Sequence, residues 1–130
     1  MTTKQFNLDT FVRAYVGAAL WSSNDEYGNP LDDVHSVDDV HPDTIAKMRE
    51  DCADFVMAQE SDLREYCKRM RDEQWSGEEL AGHDFWLTRN GHGAGFWDRG
   101  MGELGERLSA AAEVYSSVDL YIGDDGMAHQ

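Results

Sequence analysis

Apolar residues recur at helical spacing in several parts of the chain. From Asn7 to Ser23 they return every three or four positions, the period that places side chains on one face of a helix. Asn7 or Asp9 is suited to cap the start of this first helix. A second helix is predicted from about Pro42 to about Arg71, with a bend or break near Ser61, where polar residues interrupt the apolar pattern.

Two shorter helices are predicted in the second half of the chain. Ser76 and Glu79 have the spacing of a capping box, which opens a third helix that Gly82 is expected to end. Helical spacing returns from Gly102 to Tyr115, where leucines and alanines share one side. Both helices are therefore expected to bury one face.

Between these two helices the pattern changes to that of a β-hairpin. The segments FWLTR and GFWD flank NGHG, and Asn-Gly between aromatic or β-branched runs predicts a hairpin, here near residues 84–98. Because side chains alternate along a strand, three apolar side chains should face one way and two indoles the other. The two sets are Phe85, Leu87 and Phe96, and Trp86 and Trp97. One face can pack under the helices, and the other requires a cover or a partner.

The C-terminal segment SVDLYIGDDGMAH predicts a strand near 118–123, an Asp-Gly turn and a short return strand. Three helices, a hairpin, a helix and a final strand are typical of an α+β domain in which helices cover a small antiparallel sheet. The apolar stripes are too small for two cores, so residues 1–130 are predicted to form a single domain.

The number and placement of charged residues bear most strongly on the expected partners. The chain has 26 acidic and 11 basic residues, a net charge of −15. Seven acidic residues and no basic one lie between Arg13 and Lys47, and four acidic residues and no basic one follow Arg107. Such a chain repels nucleic acid and anionic membranes, so direct binding to either is not expected. A protein with a basic groove is the natural partner.

The first ten residues, MTTKQFNLDT, lack the apolar core of a signal peptide. No run approaches the roughly 18 apolar residues of a membrane span. The sequence therefore predicts a cytoplasmic protein.

The acidic loop between the first two helices raises the question of a metal site. It contains turn residues and a near-duplicated motif, DDVHSV and DDVHPD. The loop does not match an EF-hand calcium-binding loop numbered from Ser23, because Tyr27 and Val34 occupy positions that require oxygen ligands. His35 and His41 beside carboxylates offer a weak zinc or nickel site as an alternative, but a solvated, ordered acidic loop is favoured, and no metal or cofactor is predicted.

The glycine-rich and aromatic segment raises the question of catalysis. It supplies His83 with Asp84 and His92 with Asp98, two pairs on which a small metal-dependent hydrolase could be built. In a hairpin, however, His92 sits at the tip and His83 lies on the order of 25 Å away, too far to share a metal ion. The chain also lacks a nucleophile elbow and a zinc-binding helix motif. A scaffold role is favoured, and no catalytic residue is assigned.

Three segments together carry a family resemblance: GHDFWLTRNGHGAGFWDRG, DLYIGDDG and, near the start, ALWSSND. With them, most of the chain resembles a group of small acidic proteins encoded by bacteriophages, prophages and plasmids. The group has no settled activity, so the resemblance implies a mobile-element origin and a bacterial host cell, and it supplies no catalytic residues. Small acidic phage proteins often block host defences, some of them by imitating DNA.

The sequence therefore predicts a non-enzymatic inhibitor of a host nucleic-acid-binding defence system, a CRISPR effector or a restriction enzyme, that occupies its basic DNA-binding surface. The carboxylates expected to contact the partner are Asp25, Glu26, Asp32, Asp33, Asp38 and Asp39, followed by Asp124 and Asp125. An alternative is a phage structural or regulatory adaptor that uses the Trp86 and Trp97 face. Monomer and homodimer both remain open.

Overall fold

The computed structural model describes residues 6–70 and 74–130. Within these ranges the helices are α1 (Leu8–Ser22), α2 (Pro42–Ala58), α3 (Glu60–Arg69), α4 (Gly77–Arg89) and α5 (Glu103–Glu113). Strands β1 (Tyr121–Ile122) and β2 (Ala128–His129) pair antiparallel, and single 3-10 turns cover Leu31–Asp33, Val37–Asp39 and Phe96–Asp98. The predicted α+β class is confirmed. Arg71, the predicted end of the second helix, and the first five residues lie outside the described ranges.

The first three helices follow the sequence pattern closely. The Asn7 side chain accepts a hydrogen bond from the Thr10 amide at 3.1 Å and caps α1. Pro42 occupies the first turn of α2, as predicted. The predicted break between Pro42 and Arg71 is observed at Gln59, which ends α2 and precedes α3.

The predicted hairpin near 84–98 is wrong, because α4 continues through its first strand. The capping box is present: Ser76 Oγ accepts from the Glu79 amide at 3.2 Å, and Glu79 Oε1 accepts from the Ser76 amide at 3.1 Å. Gly82 does not end the helix. It lies where α4 meets α1, and a Cβ there would stand 2.2 Å from the carbonyl oxygen of Phe11, so the glycine permits the helices to pack closely.

The Asn-Gly signal marks the C-terminal end of α4 instead of a hairpin turn. Gly91 adopts a φ of +65°, its amide donates to the Thr88 carbonyl at 3.2 Å, and the His92 amide donates to the Leu87 carbonyl at 3.1 Å. This pair of bonds is a Schellman motif, which uses the same residue types as a tight hairpin turn. Asn-Gly correctly indicates a positive φ at Gly91, but here the positive φ ends a helix instead of closing a hairpin.

The core is formed mainly by helices packed around α4. Residues 84–89 of α4 are all buried, so this helix has no solvent-exposed face in its second half. The rings of Phe55 on α2 and Phe85 on α4 stack with centroids 4.1 Å apart, and Phe96 packs against Phe55 at 5.9 Å. Phe85 and Phe96 are thus core residues as predicted, although they are not on paired strands.

Arg89 at the end of α4 is a buried charge that connects this helix to three others. Its guanidinium donates to Tyr15 Oη and Asp51 Oδ2, both at 3.0 Å, and to the carbonyl oxygens of Tyr115 at 2.7 Å and Ser116 at 2.9 Å. The two carbonyls belong to residues that directly follow the C-cap of α5. Arg89 thereby links α4 to α1, α2 and the end of α5.

The C-terminal sheet is small and peripheral. Tyr121 pairs with His129 and Ile122 with Ala128, and the Gly126 amide closes the predicted turn by donating to the Gly123 carbonyl at 3.0 Å. The predicted strand near 118–123 is therefore confirmed in its last part only. Val40 adds an isolated parallel bridge to Ala128, which docks the sheet beside the loop that precedes α2.

Candidate functional site

The acidic loop between α1 and α2 is ordered by buried apolar anchors and local hydrogen bonds. Leu31 and Val40 are buried in the core. Asp25 Oδ1 accepts hydrogen bonds from the amides of Tyr27 at 2.8 Å and Asn29 at 2.9 Å, which holds the first turn. The predicted ordered loop is confirmed, and the carboxylate of Asp25 is occupied by this turn.

A second turn in the loop is built on a capping box. Ser36 Oγ accepts from the Asp38 amide at 3.3 Å, while Asp39 Oδ2 accepts from the Ser36 amide at 2.9 Å and lies 3.7 Å from His35 Nδ1. Asp39 is therefore oriented by the loop. Asp38, its neighbour, projects from the same turn and is exposed.

The C-terminal turn has a similar internal arrangement. Asp125 accepts from the Met127 amide at 2.9 Å and from His129 Nε2 at 2.9 Å. The backbone hydrogen bond, followed by that from His129, lowers the pKa of the Asp125 carboxyl below its ordinary value. This carboxylate stays ionised at neutral pH.

Tertiary structure brings the two acidic segments together. The His41 amide donates to the Ala128 carbonyl at 2.9 Å, and the His41 and His129 rings stack with centroids 4.8 Å apart. Val40 also forms an isolated parallel bridge with Ala128. The end of the acidic loop, at Val40 and His41, therefore lies beside the hairpin that carries the Asp124–Asp125 turn.

We use the name acidic surface for the eight predicted contact residues: Asp25, Glu26, Asp32, Asp33, Asp38, Asp39, Asp124 and Asp125. Three of them hold local structure, as described above. The other five form no hydrogen bond or ion pair through their side chains with any residue of ranges 6–70 and 74–130. These five exposed carboxylates are Glu26, Asp32, Asp33, Asp38 and Asp124. No described contact brings the Asp25–Glu26 turn to the C-terminal turn.

The hydrolase alternative places its first acid-base pair at His83 and Asp84. Asp84 is fully buried, and both of its carboxylate oxygens are engaged. Oδ2 accepts from Tyr66 Oη at 2.5 Å and from Arg99 Nε at 3.0 Å, and Oδ1 accepts from Arg99 Nη2 at 2.8 Å. The bidentate pair of Arg99 and Asp84 joins the loop after α4 to the helix, so Asp84 stabilises the fold. Burial also lowers the pKa of His83.

The second pair, His92 and Asp98, is exposed on the loop after α4. Over the described residues, no group of three or more histidine, cysteine, aspartate or glutamate side chains is placed to hold a metal ion. His35 and His41, the alternative zinc or nickel ligands, are among the described residues.

The predicted tryptophan face does not exist. Trp86 is buried, and its Nε1 donates to Ser22 Oγ at 2.6 Å, whereas Trp97 is half-exposed. The two indoles were assigned to one face on the assumption of strand alternation. Because residue 86 lies in a helix and residue 97 in a 3-10 turn, that alternation does not apply.

Sequence reasoning missed a groove of about 770 Å³ between α1 and α4. Arg13, Gly17 and Trp21 of α1 line it, together with His83 of α4, Trp75 and Arg99. The Trp21 and His83 rings lie 5.6 Å apart. Two sequence signals pointed here: Trp21 lies off the apolar stripe of α1, and Gly17 interrupts the middle of that helix.

Gly17 has no packing reason to be glycine, since nothing lies within 4 Å of a Cβ built there. Glycine inside a helix costs about 1 kcal/mol relative to alanine. We expect Gly17→Ala to raise the Tm by about 3 °C, measured by thermal unfolding followed by circular dichroism. A lower Tm for this variant would show that the added methyl meets a neighbour and would contradict the open groove.

Among the described residues, no helix combines the length and apolarity needed to cross a membrane. Comparison with known proteins adds no relationship to these observations: no protein family, curated protein or solved structure matches the chain.

Proposed function

We propose that this protein is a non-enzymatic inhibitor of a host nucleic-acid-binding defence system, a CRISPR effector or a restriction enzyme, encoded by a phage or another mobile element. In this proposal the acidic surface occupies the basic groove that normally holds DNA. The protein acts in the cytoplasm of the bacterial host, as a monomer or homodimer, without a cofactor.

The observation that carries the proposal is the joining of the two acidic segments at Val40 and Ala128. Separate in sequence, they meet in the fold, and neither contains a lysine or arginine. Carboxylates concentrated in segments without basic residues raise the local field above that of an evenly distributed charge. A basic groove would be attracted to that region and steered toward it during association.

The ordering of the loop supports the same proposal. Asp25, Asp39 and Asp125 hold its turns and the adjacent hairpin through hydrogen bonds to backbone amides. The remaining carboxylates are thus presented on a preorganised backbone, which reduces the entropy lost when a partner binds. Five of them have no basic partner among residues 6–70 and 74–130 and are available to arginine or lysine side chains of a partner.

The proposal predicts a loss of inhibition when unpaired carboxylates are neutralised. Four exposed charges worth about 0.5 kcal/mol each sum to about a 30-fold weaker affinity. The measurement is displacement of DNA from a purified restriction enzyme or CRISPR effector, titrated with the wild type and with the variant at low and high salt. The variant carries Asp32→Asn, Asp33→Asn, Asp38→Asn and Asp124→Asn.

A control variant with the same net charge as the acidic-surface variant separates the effect of local charge from that of total charge. It carries Glu50→Gln, Glu78→Gln, Glu103→Gln and Glu106→Gln, which lie on helices outside the acidic surface. We expect the control to inhibit within about threefold of the wild type, since its charges are remote from the contact. Equal inhibition by the wild type and the acidic-surface variant, or inhibition that is insensitive to salt, would reject the proposal.

A further inference from the structure

The groove between α1 and α4 has the dimensions of a small-molecule site and shares no residue with the acidic surface. Its volume of about 770 Å³ lies within the roughly 300–1,000 Å³ of ligand pockets in proteins. The two helices that form its walls pack closely at Gly82, so the groove is held by a rigid part of the fold. A ligand would meet a preformed surface.

The walls suit a flat ring. Trp21 is 55% exposed and Trp75 is 51% exposed, although both are large apolar side chains that a protein usually buries. His83 lies beside Trp21, and because burial lowers its pKa, its ring is uncharged at neutral pH. Indole and imidazole faces stack favourably on planar aromatic groups.

One cation of the groove is available to an anion. Arg99 is paired with Asp84 in a bidentate contact, and Glu79, which keeps its negative charge, is held at the start of α4 by the Ser76 amide. Arg13 is exposed and forms no ion pair with residues in the described parts of the chain. A guanidinium with free donors binds a carboxylate in a bidentate manner. Arg13 therefore lines the same groove as the two indoles and has no acidic partner among residues 6–70 and 74–130.

Gly17 leaves room for a ligand in the groove. It lines the groove from the middle of α1, and a side chain there would project into open volume instead of against a neighbour. The helix therefore forgoes the stability of alanine at a position where a side chain would narrow the groove.

We propose that the groove binds a small planar aromatic carboxylate, with its ring against Trp21 and Trp75 and its carboxylate on Arg13. The site is independent of the inhibition proposed above, and either proposal can fail without the other.

The test is a titration of the ¹⁵N-labelled protein with 2-naphthoate, followed by NMR. We expect the indole N–H signals of Trp21 and Trp75 and the amide signal of Gly17 to shift together and to saturate. The signals of buried Trp86 and of Trp97, which is half-exposed but outside the groove, serve as internal controls and should not move. Equal shifts at Trp97, or no saturation by about 5 mM, would overturn the proposal.

Three substitutions separate the contributions of charge and of open volume to ligand binding in the groove. Arg13→Gln should weaken 2-naphthoate binding about tenfold and leave binding of neutral 2-naphthamide unchanged, whereas Lys68→Gln, an exposed cation outside the groove, should change neither. Gly17→Leu should abolish both by filling the groove. Retained binding in a folded Gly17→Leu protein, or equal weakening by Lys68→Gln, would show that the ligand lies elsewhere.

Discussion

Replacing Arg89 with leucine is expected to lower the free energy of unfolding by about 3–5 kcal/mol, the largest effect of any single substitution considered for this protein. The side chain is 3% exposed, and its loss leaves Asp51 without its strongest partner. The Tyr15 hydroxyl and the carbonyls of Tyr115 and Ser116 lose their donors as well. A buried acceptor left without a donor costs more than the bond contributed.

The measurement is urea unfolding followed by circular dichroism, with Arg49→Leu as the matched control. Arg49 forms an exposed ion pair with Asp9, and pairs of that kind contribute about 0–1 kcal/mol. Arg89→Lys should fall between the two, because it keeps the charge but cannot reach four acceptors at once. If Arg89→Leu costs no more than Arg49→Leu, Arg89 does not link the helices as described.

Replacing Asp84 with asparagine is expected to cost about 2–4 kcal/mol of folding stability. The amide has the same shape but no charge, so Arg99 loses its counter-ion and Tyr66 loses a strong acceptor inside the protein. The expected loss is smaller than for Arg89, since the Arg99 side chain is partly exposed and can be hydrated after the change.

The chain offers a matched control for Asp84 in the pair formed by Asp62 and Arg107. It has the same bidentate geometry, with Arg107 Nε and Nη2 each 3.1 Å from a carboxylate oxygen, but it lies at the surface. Asp62→Asn should cost about 0–1 kcal/mol. Equal losses for the two variants in urea unfolding would contradict a structural role for the burial of Asp84.

The helix boundaries illustrate how much of the fold can be predicted from local sequence. Asn7 and the Ser76–Glu79 box mark helix starts because each satisfies amide groups within a single turn. Pro42 marks a helix start because it has no amide hydrogen to satisfy in the first turn. Such signals act over three or four residues and need no tertiary contact. Local chemistry likewise predicted the Asp-Gly turn at the C-terminus.

The error at residues 84–98 shows where local sequence is insufficient. Asn-Gly favours positive φ, and both a hairpin turn and a helix C-cap require it. The aromatic run before it is buried on all sides, so it lacks the polar face that distinguishes a helix from a strand. In the fold this run is helical, and its helix packs against α1 with a close approach at Gly82.

Of the candidate site, the sequence by itself determined the acidic loop, its turns and the absence of basic residues from it, because charge and turn chemistry are properties of neighbouring residues. The tertiary structure decided that this loop meets the C-terminal turn, that Trp86 is buried, and that Trp21, Trp75 and Arg13 line one groove. These relations join residues far apart in the chain, and they depend on how helices pack, which no local pattern encodes.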